Sequence, residues 1–290
     1  MTDAAWERIQ PLLPATDGRG RPWRGHRQVI DGVLWRLRTG APWRDLPERY
    51  GPWQTVYERF ARWESDGTWA ALLKHVHVRD EAVGRVEWTV SVDSTVNRAH
   101  QHAAGARKKR SPDEDKLEDP QRSAARQALG RSRGGLTTKV HLAVDGRGLP
   151  LSIVLTPGNV NDSTVFETVM DGIRVPRTGP GRPRRRPDRV LADKAHSSRV
   201  IRAGLRRRGI KATIPERSDQ IDNRRRRGSL GGRRPPFDPE AYKHRNVVER
   251  CFSRLKQFRA VATRFDKLAS RYEAGLHPGS LILWLRNSTA

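Results

Sequence analysis

Apolar residues along this chain change their spacing near Trp88. Up to that point they recur at helical intervals: Trp6, Ile9 and Leu13, then Val29, Ile30, Val33, Leu34 and Leu37, then Val56, Phe60 and Trp63. Beyond it the runs EWTVSVDST, TTKVHLAVD and LPLSIVLTPG carry the β-branched residues and period of strands. Tryptophan follows the same division. Trp6, Trp23, Trp35, Trp43, Trp53, Trp63 and Trp69 come early, and only Trp88 and Trp284 follow. The expectation is a helical domain over residues 1–80 followed by an α/β domain over 81–290.

Within the first unit Thr2 is placed to cap a helix at its N-terminus and Gly40 to end the second helix. The stretch APWRDLPERYGPWQTVYERFARW then reads as two short helical pieces around Tyr50-Gly51-Pro52. A short helix, a glycine-containing turn and a longer basic amphipathic helix form the helix-turn-helix pattern. Gln54, Thr55 and Arg59 fall on the candidate recognition helix. A plain helical bundle fits the same spacing and stays open.

The second unit begins with three strands, the last two joined across Asp145-Gly146-Arg147-Gly148, a strong hairpin signal. A helix over Ser163 to Ile173, a strand RVLADKA, a basic helix and a short strand KATIPE follow. After Asp238-Pro239 the chain runs without Pro or Gly to Tyr272 and reads as one helix. Three antiparallel strands followed by alternating helix and strand predict a mixed sheet with flanking helices, the order of a ribonuclease-H-like fold. Residues 101–134 and 217–236 are rich in Arg, Gly and Pro or poor in apolar residues, and are expected to be flexible basic segments.

Charge narrows the function. Lys and Arg total 57 against 32 Asp and Glu, a net of +25, which calls for a polyanionic partner. No apolar run approaches the roughly 20 residues a membrane helix needs, and the first residues lack a secretory pattern. The single cysteine, Cys251, leaves no internal disulfide and reads as a small buried residue on a helix. A cytoplasmic nucleic-acid-binding protein is the expectation.

In so basic a chain, acids at strand ends among apolar neighbours are the informative ones. Asp93 closes WTVSV, and Asp193 closes RVLA at the carboxyl end of a strand, where α/β sheets place their sites. A turn aspartate and a helix cap are the plain alternatives. On the expected helix, Tyr242, Arg245, Glu249 and Lys256 fall within an arc of about 60° at 100° per residue. Val248, Cys251, Phe252, Leu255 and Ala262 form the adjoining apolar face. Three carboxylates suit phosphodiester chemistry. Two magnesium ions about 4 Å apart stabilise the attacking and leaving oxygens of an in-line displacement, and magnesium takes hard oxygen ligands. Asp93 is expected to bridge the ions, with Asp193 and Glu249 holding one each.

Tyr242, Arg245, Glu249 and Lys256 reproduce the Y-(2)-R-(3)-E-(6)-K spacing of bacterial insertion-sequence DDE transposases. VDST, GRSRGGLTTKVHLAVDGRGLP, LTPGNVND, LADKA and RFDKLA resemble the insertion-sequence-5 family within the insertion-sequence-4 superfamily, and RTGAPWRDLPERYGPWQTVYERFARW resembles its DNA-binding region. The resemblance covers almost the whole chain. It implies magnesium-dependent DNA cleavage and strand transfer, with manganese able to substitute, acting on terminal inverted repeats and target DNA. It also implies a homodimer in a synaptic complex, in a bacterial cytoplasm. Arg245, Lys256 and Lys194 would contact DNA phosphates, and Tyr242 would stack or position. His196 stands where relatives carry Tyr and is read as tolerated variation able to stack on a base. Asp193 and Glu249 are 56 residues apart (249 − 193), too close for a large inserted subdomain. A structure-selective nuclease and a DNA-binding descendant without activity remain rivals.

Overall fold

The computed structural model describes residues 1–15, 23–104 and 127–287. Helix α1 (Asp3–Ile9) starts where the Thr2 hydroxyl accepts from the Ala5 N–H at 3.3 Å. Helix α2 (His26–Thr39) ends at Gly40, whose φ of 71° is left-handed. Both caps are those expected. Before α3 (Trp53–Ser65) the chain makes two single 3₁₀ turns, Trp43–Asp45 and Glu48–Tyr50, where one short helical stretch was expected. The turns and α3 are each preceded by a proline, Pro42, Pro47 and Pro52. Proline fixes φ and lacks the N–H needed to continue a helix through it, so each piece restarts. Helix α4 (Thr68–Ala82) runs through the expected boundary at residue 80.

The second part contains β1 (Thr89–Ala99), α5 (Gln101–Ala104), β2 (Gly130–Ser132), β3 (Gly135–Val144), β4 (Pro150–Pro157) and α6 (Asp162–Asp171). It continues with β5 (Arg189–Ala192), α7 (Arg199–Arg207), β6 (Lys211–Thr213) and α8 (Ser218–Arg226). Then come α9 (Pro239–Lys243), α10 (Asn246–Lys256), α11 (Arg259–Ala262), β7 (Thr263–Arg264) and α12 (Ala269–Asn287). The sheet order is β4-β3-β1-β5-β6. β3 is antiparallel to both β1 and β4, whereas β5 runs parallel to β1 and β6 parallel to β5. This is the mixed sheet with flanking helices that was expected. The β3–β4 hairpin turns on Asp145, whose carboxylate accepts from the N–H groups of Arg147 at 3.1 Å and Leu149 at 2.8 Å, with Gly148 at φ +76°.

The two parts share one continuous apolar cluster. Helix α4 packs on α12, and neutral His77 from α4 and Trp284 from α12 both donate to the carbonyl of Pro150, at 3.0 and 2.8 Å. Burial drives the His77 pKa down to about 4, so it donates without carrying charge. Among the described residues no helix is long and apolar enough to cross a membrane.

Two expectations about the chain's path are corrected. The single helix after Pro239 is three: α9, α10 and α11. Between α9 and α10, the N–H groups of His244, Arg245, Val247 and Val248 each reach back three residues, a tightened winding that turns the axis. After α10 the carbonyl of Val261 is taken by Asn97 at 3.0 Å and by the Tyr272 hydroxyl at 2.6 Å, and β7 pairs with β1. Tertiary partners there outcompete helical propensity. The expected apolar face survives on α10, with Val247, Val248, Cys251, Phe252 and Leu255 buried. The second correction concerns residues 217–236, which hold helix α8 and a 3₁₀ turn, Gly228–Gly231. Of the segment 101–134, residues 105–126 lie outside the described residues, and α5 and β2 occupy its two flanks.

Candidate active site

β1 passes through Asp93, which therefore lies within a strand, where a strand end was expected. What ends there is the parallel partner. The last β1–β5 pair is Val92 with Ala192, so Asp93 and Asp193 are the next residues on adjacent strands. Strand alternation puts Asp93, Thr95 and Asn97 on one face of β1, and the segment from α9 to α12 covers that face. Arg245 Nη1 donates to Asp93 Oδ2 at 2.7 Å, Lys256 Nζ to Thr95 Oγ1 at 2.6 Å, and Asn97 Nδ2 to the Tyr272 hydroxyl at 2.6 Å. The second nitrogen of Arg245, Nη2, donates to Glu249 Oε1 at 2.5 Å. One guanidinium thus ties the carboxylate of β1 to the carboxylate of α10.

The two aspartates are driven in opposite directions. Burial raises the pKa of Asp93. The Ser94 N–H at 2.8 Å and the Arg245 charge partly offset this, while the neighbouring Asp193 charge adds to it. Asp193 lies below the usual carboxylate range because the His196 side chain hydrogen-bonds its Oδ1 at 2.8 Å, outweighing burial, with the Ala195 N–H at 3.0 Å assisting. Asp193 is thus also the N-cap of a 3₁₀ turn, Lys194–His196, so the capping geometry holds alongside its place beside Asp93.

Among the described residues no three of His, Cys, Asp and Glu are gathered closely enough to hold a metal ion as they stand. The donor set nonetheless suits a hard cation. All three acids offer oxygen, and a positive group, the Arg245 guanidinium, already sits between Asp93 and Glu249. Burial keeps Lys256 below the usual lysine range.

The other expected site residues separate. Lys194 is exposed on the turn after Asp193. Tyr242 is half-buried, its ring 5.3 Å from Phe237 and 5.8 Å from the Arg245 guanidinium. Gln54 is exposed and Thr55 half-buried at the start of α3. Arg59 is buried: its guanidinium lies 3.9 Å from the centre of the Trp23 ring, and Nη1 donates to His26 Nδ1 at 2.9 Å. It packs α3 against Trp23 and the start of α2, at the wall of a surface concavity it shares with Thr55 and Arg62. His196 is likewise buried against Phe166 at 5.5 Å, bound to Asp193, and is not presented to a base. Sequence reasoning missed this His196–Asp193 bond, the Lys256–Thr95 bond, and an ion pair of Lys139 with Asp162 at 2.8 Å. Alternation along β1 alone would have nominated Thr95. Nothing local would have nominated His196.

Comparison with known proteins decides the family. Residues 84–275 match the transposase DDE domain, and residues 1–73 match a family described as transposases of the IS4/5 family. The chain belongs to the insertion-sequence DDE transposases. It is 37% identical over 155 residues to the transposase assigned to insertion sequence element IS402 of Burkholderia cepacia, covering 53% of this chain and 65% of that one. It is 32% identical over 151 residues to the transposase assigned to IS6501 of Brucella ovis, covering 52% of this chain and all of that protein. Among solved structures, the Mos1 transposase paired-end complex with left transposon end aligns over 88% of this chain and 83% of that one, at 12% identity and a TM-score of 0.24, an overlap too loose to bear on the fold. Asp93, Asp193 and Glu249 all lie within the span of this transposase that matches the DDE domain, the enzymatic part of proteins that move DNA segments.

Proposed function

We propose that this transposase cleaves DNA at the ends of its element and joins the freed 3′-hydroxyl to target DNA, on a ribonuclease-H-like sheet with Asp93, Asp193 and Glu249 as its acids. The observation that carries the reading is the Arg245 bridge, which draws acids from two distant elements to one cation beside a third acid. Asp93, Asp193 and Glu249 would hold magnesium, or manganese in its place. Such ions, when bound, stabilise charge on the attacking and leaving oxygens of a phosphodiester displacement.

The chain's own groups do the rest. Asp193 is held by His196 and Ala195 through Oδ1, which leaves Oδ2 for a ligand. Arg245 would meet a phosphate, with Lys256 about three turns along α10 and Lys194 on the neighbouring turn. Tyr242 braces the junction that carries Arg245. The helical part, about residues 1–80, recognises the element's terminal repeats in duplex DNA through Gln54 and Thr55 of a helix-turn-helix-type unit. Arg59, stacked on Trp23, would hold that helix in place more than it would contact DNA. Two ends cut in one event call for a homodimer in a synaptic complex, acting on DNA in the cytoplasm.

Asp93→Asn, Asp193→Asn and Glu249→Gln should each reduce cleavage and strand transfer by orders of magnitude, because each loses a ligand worth several kcal/mol of electrostatic stabilisation. Binding to duplex DNA should persist or tighten, since a negative charge facing phosphate is gone. Near-normal strand transfer by the Glu249→Gln protein would falsify the assignment of the third acid. Asp145→Asn is unsuited as a control: Asp145 is buried, accepts backbone hydrogen bonds, and has its pKa pushed up to about 7 by burial.

A further inference from the structure

Helix α8 leads into a turn whose composition is unlike the rest of the surface. Leu230 stands there 88% exposed, the most exposed large apolar side chain among the described residues. Val83, Val96 and Val200 are the others, and single exposed valines on a helix or strand are ordinary. Leu230 differs in its setting. It lies on the 3₁₀ turn Gly228–Gly231, between Gly228 at φ +51° and Gly232 at φ +75°. Arg224, Arg225, Arg226 and Arg227 precede it and Arg233 and Arg234 follow, all but Arg224 exposed. An apolar tip ringed by cations has no use for an apolar protein surface, which would have to bury those charges.

The turn is also fixed in place. At its start, Gln220 of α8 accepts from the Ser197 hydroxyl at 2.7 Å and donates to the Ser197 carbonyl, and Arg224 pairs with Glu216. Ser197 directly follows His196, the residue that holds Asp193. At its far end, Phe237 packs on Tyr242 and Asp238 pairs with Arg189 of β5 at 2.6 Å. Both ends of the protrusion are therefore tied to the elements that carry Asp193 and Arg245.

From this juxtaposition we propose that residues 224–234 form a wedge that enters duplex DNA beside the cleavage centre, with Leu230 inserted between two base pairs and the arginines holding the flanking phosphates. An apolar side chain driven into a base step unstacks it and kinks the duplex, while the surrounding cations compensate phosphate charge. Pyrimidine–purine steps, the easiest to unstack, are the preferred entry point. The proposal rests on the reading of this chain as a transposase that binds duplex DNA.

The test uses the full chain, without divalent metal so that nothing is cut, and duplexes of the element's terminal repeat with 2-aminopurine substituted position by position. Wild-type protein should raise 2-aminopurine fluorescence several-fold at one step. Leu230→Ser, a change at an exposed position that leaves the fold intact, should bind with unchanged affinity and lose that enhancement, and Leu230→Phe should keep it. Equal enhancement by wild type and Leu230→Ser overturns the wedge, as does a bound duplex that brightens at no position. Absence of duplex binding by wild type is a separate result, and it overturns the DNA-binding reading on which the wedge rests.

Discussion

Arginine behaves in opposite ways in two regions of this molecule. In the N-terminal helices it is drawn onto aromatic faces. Arg59 lies 3.9 Å from the Trp23 ring centre, Arg62 5.4 Å from the same ring, and Arg36 5.1 Å from Trp43. Arg36 and Arg59 are buried, and Arg36 also pairs with Asp266 at 3.2 Å. Around Leu230 there is no tryptophan to stack on: Arg224 and Arg234 pair with Glu216, and Arg225, Arg226, Arg227 and Arg233 stay exposed. A net charge of +25 is therefore not one footprint. Where tryptophan is dense, cation–π contacts help bury Arg36 and Arg59, while Arg62 keeps its exposure. Where glycine and proline replace it, arginine is left for a partner.

The largest effect expected from this contrast is on DNA binding. Replacing Arg226, Arg227 and Arg233 by Gln should lower the slope of log affinity against log salt by about three and weaken binding on the order of a hundredfold near physiological salt. The melting temperature should not move. An unchanged salt slope would show that these arginines do not reach phosphate, and the contrast would collapse.

Arg59→Ala should do the reverse. Removing a buried guanidinium from Trp23 and His26 should cost about 2 kcal/mol of stability, read by denaturant titration. The salt slope should stay put. A slope lowered by about one with stability intact would return Arg59 to the DNA-contacting set.

The smallest effect is a pH dependence within the same cluster. His26 accepts from Arg59 at Nδ1, so its proton sits on Nε2 and donates to the Pro14 carbonyl at 3.1 Å. Burial, and then the Arg59 charge, lower the His26 pKa. The unfolded chain thus binds a proton that the folded chain refuses, and stability should fall as pH drops below the ordinary histidine value of about 6.5. The fall should level off below the folded pKa. Melting curves of His26→Gln across the same range should show less of this loss, and a wild-type curve flatter than the variant's would refute the neutral tautomer.

Legibility in the sequence tracked how local each determinant is. The Thr2 and Gly40 caps, the Asp145 hairpin and the Asp238–Pro239 helix start depend on neighbours within a few residues, and all four are where the pattern puts them. Asp93 and Asp193 could be nominated because strand ends in a basic chain make acids conspicuous. The break between α9 and α10 could not be read, and neither could the capture of the Val261 carbonyl by Asn97, because their causes lie far along the chain. Arg59 failed for the same reason. Helical spacing shows which face a residue occupies, but not that Trp23 waits on that face. The Tyr242-Arg245-Glu249-Lys256 spacing pointed to a constellation while resting on one straight helix, and the structure reaches Arg245 through a turn instead.

The shared carbonyl of Pro150 carries a consequence for how the protein is made. His77 and Trp284, which meet there, are 207 residues apart (284 − 77), and α4 packs on α12 as well as on its neighbour α3. The ribosome therefore finishes the amino-terminal helices long before their packing partner emerges. A message broken before codon 269 yields a polypeptide whose tryptophan-rich front lacks its lid. Such products are expected to fall to chaperones and proteases and should not accumulate.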